Sequence, residues 1–449
     1  MVTLNADFPL RDQGVSNALG VDSLPRHRWY FVKEGFSPKL VERAIETEGV
    51  RPGEILLDPF SGGGTVALTG VLAGLHTRAF EVNPFLRFVS STKLLKPSSD
   101  TFRRATASVL RALHHQTKSP LEGYSTFTAG NRWNRWLFPT EVLRSFESGG
   151  RANTDVDVSA RSLVKLALIG AAMDCCNASR DGKCLRYQKD WTKNEATAAK
   201  LRGCFEARAE VIAKDLIDAP LSGSCAVVIE GDARKLVLEI KEKFRLCVTS
   251  PPYLNSFDYS DVYRPELFLG GFVKSTDALR EVRLKTVRSH VQASWEHPKR
   301  DQFGALYKHS IAKIRERVGS LWDPRLPAMV QAYFEDMETV LRALRKTARK
   351  DASVWLVVST SAYGGVEVPV DLILAEIGQQ TGWYLREVGV LRHLRSSSQH
   401  VQHVEDEERK SVPLRESVVI LDASPREARK SPSASCGRSD SSCAVKDSA

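Results

Sequence analysis

The sequence predicts an α/β fold built on an open, mostly parallel sheet, and three observations predict it. The run Ile55-Leu56-Leu57-Asp58 is apolar and ends in an acid; Pro59-Phe60-Ser61-Gly62-Gly63-Gly64-Thr65 and a second apolar run, Val66-Ala67-Leu68, follow it. That is the pattern of a buried parallel strand, a tight turn and a helix start. A second strand-like run, Phe244-Arg245-Leu246-Cys247-Val248-Thr249, ends in Ser250-Pro251-Pro252-Tyr253. Two further strand-like runs end in acids, at Glu81 and Asp232. In an open α/β sheet these endpoints share one edge, at the carboxyl ends of the strands, where such sheets bind ligands.

The chain in order supports this reading. Ser37 and Pro38 suit the cap and first position of a helix whose buried stripe is Leu40, Val41, Ala44 and Ile45. Three glycines after the first strand allow a close backbone approach, and the helix behind them offers free N–H groups to a ligand, although such turns also occur with none. The next strand, 77–80, leads to Glu81. A carboxylate at that position can accept from both hydroxyls of a ribose, and its distance from Asp58 fits the roughly 20 residues this geometry needs. Residues 95–220 lack strand alternation, and 103–114, 159–173 and 195–217 read as helices. This insertion carries Arg132, Trp133, Arg135 and Trp136 close together. It either grips nucleic-acid phosphates and stacks on a base or is a helical buttress with the tryptophans in its core.

The sheet resumes at 225–230, ends in Gly231-Asp232, and passes through a crossover helix over 234–242 to the run ending at Thr249. The proline pair fixes φ twice, so the chain leaves the sheet in a rigid turn presenting Ser250 and Tyr253. Four aromatics follow within a short span, Tyr253, Phe257, Tyr259 and Tyr263, with no clean helical or strand period. Beyond them 264–320 is basic and lacks obvious strands. A helix over 327–350, a strand over 353–360, a helix over 369–377, strand segments at 382–390 and a last strand at 416–421 complete the core.

Composition narrows the class. The chain has 449 residues, 42% hydrophobic and 26% charged, with a formal net charge of +10. That balance favours a polyanionic partner. No run of about 18 apolar residues exists, and residues 1–20 have neither a basic nor an apolar leader region, so a cytoplasmic location without membrane association is expected. The eight cysteines include the adjacent Cys175 and Cys176, a spacing that suits a tetrahedral metal site poorly, and no metal is expected.

Together, Asp58-Pro59-Phe60-Ser61-Gly62-Gly63-Gly64-Thr65 and Ser250-Pro251-Pro252-Tyr253 resemble the turns of the amino-methylating DNA methyltransferases, which move a methyl group from S-adenosylmethionine to the exocyclic amine of cytosine or adenine. The resemblance covers 27–94 and 225–421. It implies a Rossmann-like class I methyltransferase fold with a seven-stranded sheet, its last strand antiparallel. It also implies a catalytic domain over 27–94 and 221–423, an N-terminal extension over 1–26, a helical insertion over 95–220, a DNA-recognition segment within 264–320 and a disordered tail over 424–449. S-adenosylmethionine is the implied cofactor, held by Phe31, Asp58, Phe60, Gly62, Gly64, Thr65, Glu81 and Asp232, with Asp232 accepting from the adenine amine. Ser250, Pro251, Pro252 and Tyr253 are the implied catalytic turn. Phe257, Tyr259 and Tyr263 are expected to size a pocket for an extruded base, and Arg288 and Lys299 to contact DNA. Duplex DNA is the implied partner, and a cognate restriction endonuclease a further one.

Serine at position 250 is more often found in this family where cytosine N4 is the target, and aspartate or asparagine where adenine N6 is. The resemblance therefore points to a site-specific cytosine-N4 enzyme, with adenine N6 as the alternative. An RNA or protein-amide methyltransferase is a lesser alternative, since a Pro-Pro-Tyr turn serves planar amino groups generally; a non-catalytic DNA-binding module fits less well, because both turns are intact.

Overall fold

Strands form where the apolar runs required them, and the computed structural model describes them within residues 3–180, 185–193, 196–221, 223, 225–394 and 414–426. They are β1 (Leu4–Asn5), β2 (Ile55–Asp58), β3 (His76–Glu81), β4 (Ala178–Arg180), β5 (Leu185–Tyr187), β6 (Ala226–Glu230), β7 (Phe244–Thr249), β8 (Ala348–Ser359), β9 (Ser361–Tyr363), β10 (Val366–Val368), β11 (Tyr384–Leu394) and β12 (Leu414–Asp422). The central sheet has eight strands in the order β1-β11-β12-β8-β7-β2-β3-β6. Only β12 runs against its neighbours, as expected of the last strand; the other pairings are parallel. The chain moves outward one way from β2 and the other way from β7. The crevice between their carboxyl ends is therefore the topological switch point, where open sheets bind ligands.

The eighth strand departs from the seven expected. Leu4 and Asn5 pair in parallel with Val388 and Gly389 of β11, and Phe8 packs over Gly389 so closely that a Cβ there would lie 2.4 Å from the ring. Residues 4–26 thus pack into the sheet domain rather than standing apart as an extension.

Helices cover both faces. α1 (Pro38–Glu48) is capped by Ser37, which accepts from the Lys39 N–H at 3.3 Å. α2 (Thr65–Leu72) and α3 (Pro84–Thr92) complete the first β-α units. The insertion is a bundle of α4 (Ser99–Ala112), α5 (Thr140–Ala152), α6 (Val158–Asp174) and α7 (Ala198–Asp218), with Phe102, Val109, Phe127, Phe138, Leu163, Leu201 and Phe205 in its core. α5 and the β4–β5 hairpin were not foreseen in the sequence. The crossover after β6 is also shorter than expected, with only α8 (Ala233–Leu236) and a single 3-10 turn.

After β7 come α9 (Tyr259–Val262), α10 (Arg264–Leu269), α11 (Thr276–Lys285) and α12 (Ala305–Glu316), and then α13 (Leu326–Thr347) and α14 (Val370–Gln380). α12, α13 and α14 share one core with β7 and β8 through Tyr307, Ile311, Phe334, Leu341, Ile373 and Val354. Two buried ionic clusters fasten the sheet: Glu48 with Arg386, Arg426 and Trp355, and Asp371 with Arg415 and Ser417. Between the strand segments at 382–390 and the last strand, the sequence also reads as a polar loop over 392–410; residues 392–394 instead belong to β11, and 395–410 lie outside the described residues, as does the tail beyond 426. Among the described residues no helix is long and apolar enough to cross a membrane.

Candidate active site

The switch-point crevice opens into a cavity of about 280 Å³ lined from both turns, from 32–36 before α1, from the 253–263 segment and from the β11–β12 pair. Asp58, Phe60, Gly62, Thr65, Glu81, Asp232, Ser250, Pro251, Pro252, Tyr253, Phe257, Tyr259 and Tyr263 all line it. Residues far apart in sequence therefore meet in one cleft.

The glycine turn is held from several sides. Gly62 has φ +49 and a Cβ there would meet nothing within 4 Å, so this glycine faces open cavity. Its N–H donates to Glu81 Oε2 at 2.7 Å, while the Asn83 N–H donates to Oε1 at 2.9 Å. Each Glu81 oxygen keeps a lone pair for a ligand hydroxyl. From behind, the buried Lys93 ammonium donates to the Gly63 carbonyl at 2.9 Å, and burial pulls its pKa down to about 7. Asp58 Oδ1 accepts from the Thr249 hydroxyl at 2.7 Å and the Phe60 N–H at 3.0 Å, which ties the β2 end to the β7 end. Burial pushes both Asp58 and Glu81 up to about 7.

At the second turn, Ser250 and the Tyr253 side chain are hydrogen-bonded, and burial raises the Tyr253 phenol well above its ordinary range. The Tyr259 hydroxyl meets the Tyr253 backbone, and its ring lies 4.5 Å from that of Phe257. Cys247 is enclosed within β7 with its thiol raised by burial, which disfavours the thiolate a nucleophile needs.

Several expected site residues stand differently. Phe31 is 38% exposed and is not in the cavity wall; Val32, Lys33, Glu34, Gly35 and Phe36 of the same segment are, because the backbone turns there and carries Phe31 outward. Gly64 is a packing glycine: it has φ +82, and a Cβ would lie 2.9 Å from the Ser90 Cα. Asp232 lines the cavity, but both its oxygens accept from Arg234, at 2.8 to 3.0 Å, and Oδ1 also caps α8. Tyr263 is fully buried, its hydroxyl donating to Glu34 Oε2 at 2.6 Å, so it anchors Glu34 from beneath the pocket. Arg288 is not a free phosphate contact: its guanidinium binds Glu335 and Asp336 at 2.6 and 2.7 Å and is only 12% exposed. Lys299 is 78% exposed and pairs with Glu296 at 3.0 Å.

The structure adds residues that the sequence pattern did not single out. Glu34 Oε1 is buried without a hydrogen-bond partner, and so is Asn83 Nδ2; both residues line the cavity. Arg392 and Glu416 pair across β11 and β12 at the rim. Glu34 had one legible signal, an acid between aromatic and glycine positions just before a helix cap. Arg392 and Glu416 had none, because their meeting depends on strand register.

One sheet edge thus holds a glycine facing open space, the buried carboxylate of Glu81 and a rigid Ser-Pro-Pro-Tyr turn. The chain is 25% identical over 395 residues to the type II methyltransferase M.AvaI of Nostoc sp., which covers 82% of this chain and 81% of that protein. It is 23% identical over 428 residues to the type II methyltransferase M.BsoBI of Geobacillus stearothermophilus, covering 83% and 81% respectively. The chain is an S-adenosylmethionine-dependent methyltransferase. No family model matches the methyltransferase. Among solved structures, an rRNA methyltransferase, aviRa from Streptomyces viridochromogenes, is 10% identical and covers 86% of this chain and 85% of its own, with a TM-score of 0.29, a likeness too slight to bear on fold or substrate.

Proposed function

We propose that this methyltransferase modifies duplex DNA at the exocyclic N4 amine of cytosine within a short fixed sequence. The observation that carries the reading is the juxtaposition of Ser250-Pro251-Pro252-Tyr253 with the Gly62 turn across the β2–β7 crevice. The residues present fit S-adenosylmethionine: Gly62 leaves open space, Glu81 has lone pairs for ribose hydroxyls, and Glu34 Oε1 is an unpartnered acceptor beside them for a cationic group. Phe60, Thr65 and Asp232 complete the wall around the cofactor. When bound, the cofactor supplies a methyl group on a positively charged sulfur.

The chain's own residues supply position and polarity. An exocyclic amine is a poor nucleophile because its lone pair is delocalised into the ring. Ser250 and the Pro251 carbonyl accept its N–H groups and turn the lone pair toward the methyl donor, while Tyr253 stacks on the extruded base. Tyr259, joined to the Tyr253 backbone, holds that turn. Phe257 and Tyr259 narrow the pocket toward a pyrimidine. Proline at 251 and 252 keeps the acceptors rigid, so little is lost in reorganisation.

The test separates chemistry from binding. Ser250→Ala and Tyr253→Ala should each lower kcat on DNA by about 100-fold or more, in line with removal of one oriented polar contact, while calorimetry shows cofactor affinity within twofold of wild type. Full activity in both variants would remove the turn from the mechanism.

A further inference from the structure

Several arginines of 264–320 are occupied by neighbouring acids: Arg283 with Asp258, Arg288 with Asp336, Arg300 with Glu338 and Arg315 with Asp301. The helical insertion presents a different surface. Along 131–136 the loop is pinned by Asn131, whose Nδ2 donates to the Thr128 carbonyl at 2.8 Å and to the Arg135 carbonyl, while its Oδ1 accepts from the Trp133 N–H at 2.9 Å. Asn134 takes φ +51 at the tip. This fixed loop holds Arg132 and Arg135 exposed, and Trp133 is 49% exposed with the Arg132 guanidinium 4.2 Å from its ring centre. Among the described residues neither arginine is paired with a carboxylate; Arg135 lies over the Tyr187 ring at 5.9 Å.

Behind the loop, Trp136 packs edge-on against Trp191 at 4.7 Å, and Tyr187 meets Trp191 at 5.0 Å, joining the loop to 185–193. The two segments together carry Arg132, Arg135, Arg186, Lys189 and Lys193 against the single acid Asp190. They connect to the elements around the cleft: Tyr187 interacts electrostatically with Arg264 at the start of α10, the residue that follows Tyr263 of the cavity wall. In the adjoining β4, Arg180 sits over the Tyr263 ring at 4.4 Å and donates to the Tyr30 hydroxyl at 2.8 Å.

We propose that the insertion, through 131–136 and 185–193, is the surface that docks duplex DNA beside the cleft, with Arg132 and Arg135 on phosphates and Trp133 as an aromatic contact at the edge of the extruded nucleotide. The proposal rests on the DNA-methylating reading above. A fixed loop of unpaired cations loses little entropy on binding, and each phosphate it neutralises adds to the salt dependence. An exposed tryptophan under a guanidinium is suited to stacking on an unpaired base.

The test uses the full chain, a fluorescent mixed-sequence duplex for anisotropy, and unmethylated plasmid DNA with labelled cofactor for transfer. Arg132→Ala/Arg135→Ala should weaken duplex binding about tenfold or more and reduce the log–log salt slope by about 2, as expected for two lost phosphate contacts, with cofactor affinity and melting temperature unchanged. Trp133→Ala should raise KM for plasmid more than it lowers kcat, and Lys299→Ala should leave both assays as in wild type. Wild-type transfer to plasmid with unaltered binding and salt slope in the Arg132/Arg135 variant would overturn the docking surface and leave the DNA reading standing. A wild-type protein that binds cofactor but neither binds nor methylates DNA would overturn both.

Discussion

At the scale of single residues the cavity combines buried carboxylates with a cofactor that carries positive charge. Burial raises Glu81 to about 7, above the ordinary 4.5, so it holds a proton up to near neutrality. The sign follows: this group's contribution to folding is fully present below the unfolded value and is lost as pH rises through about 7. Cofactor binding runs the other way, because two ribose hydroxyls donate best to the ionised carboxylate. Cofactor affinity is therefore predicted to fall by about tenfold per pH unit below 7, with proton release on binding in that range, measurable by calorimetry in buffers of different ionisation enthalpy. Glu81→Gln should bind weakly and lose that pH dependence. A flat affinity between pH 5 and about 8 would mean that Glu81 is not a ligand contact.

Among the elements, neighbouring glycines in one turn do different work. Gly62 faces open space, whereas Gly64 lies against the Ser90 backbone. Gly62→Val is predicted to abolish cofactor binding at a stability cost of about 1–3 kcal/mol for its left-handed backbone, and Gly64→Ala to cost more stability because α2 and α3 must part. Denaturant melts paired with calorimetry distinguish them. Likewise Arg288 fastens the 286–296 segment to α13 through Asp336 and Glu335, so Arg288→Ala should destabilise the fold by about 3–5 kcal/mol as a broken buried ion pair. Unchanged stability would return Arg288 to the surface. The glycine turn and the strands β2, β3, β7 and β8 were legible in the sequence, because apolar runs ending in acids, glycine or proline mark sheet edges locally. What was not legible depended on long-range pairing: β1 is two residues long and exists only against β11, Arg392 meets Glu416 by register, and Arg288 looked free until Asp336 came beside it. Phe31 stays outside the cavity wall while its neighbours 32–36 line it, a choice that depends on tertiary packing and not on local pattern.

For the whole molecule, the sheet brings the glycine turn after β2 and the Ser250–Tyr253 turn after β7 to one crevice. Residues that meet there run from Ser16 to Glu416, so the cavity is assembled from segments far apart in the sequence. The central claim concerns the atom that receives the methyl group. The serine at 250 and the narrowing by Phe257 and Tyr259 favour a pyrimidine amine over the larger purine, although a hydroxyl can accept from either. The most direct measurement is transfer from labelled S-adenosylmethionine to unmethylated duplex DNA, digestion to nucleosides and separation with mass detection. The account predicts a labelled 4-methylcytosine nucleoside that disappears with Ser250→Ala; labelled 6-methyladenine with no 4-methylcytosine would contradict it.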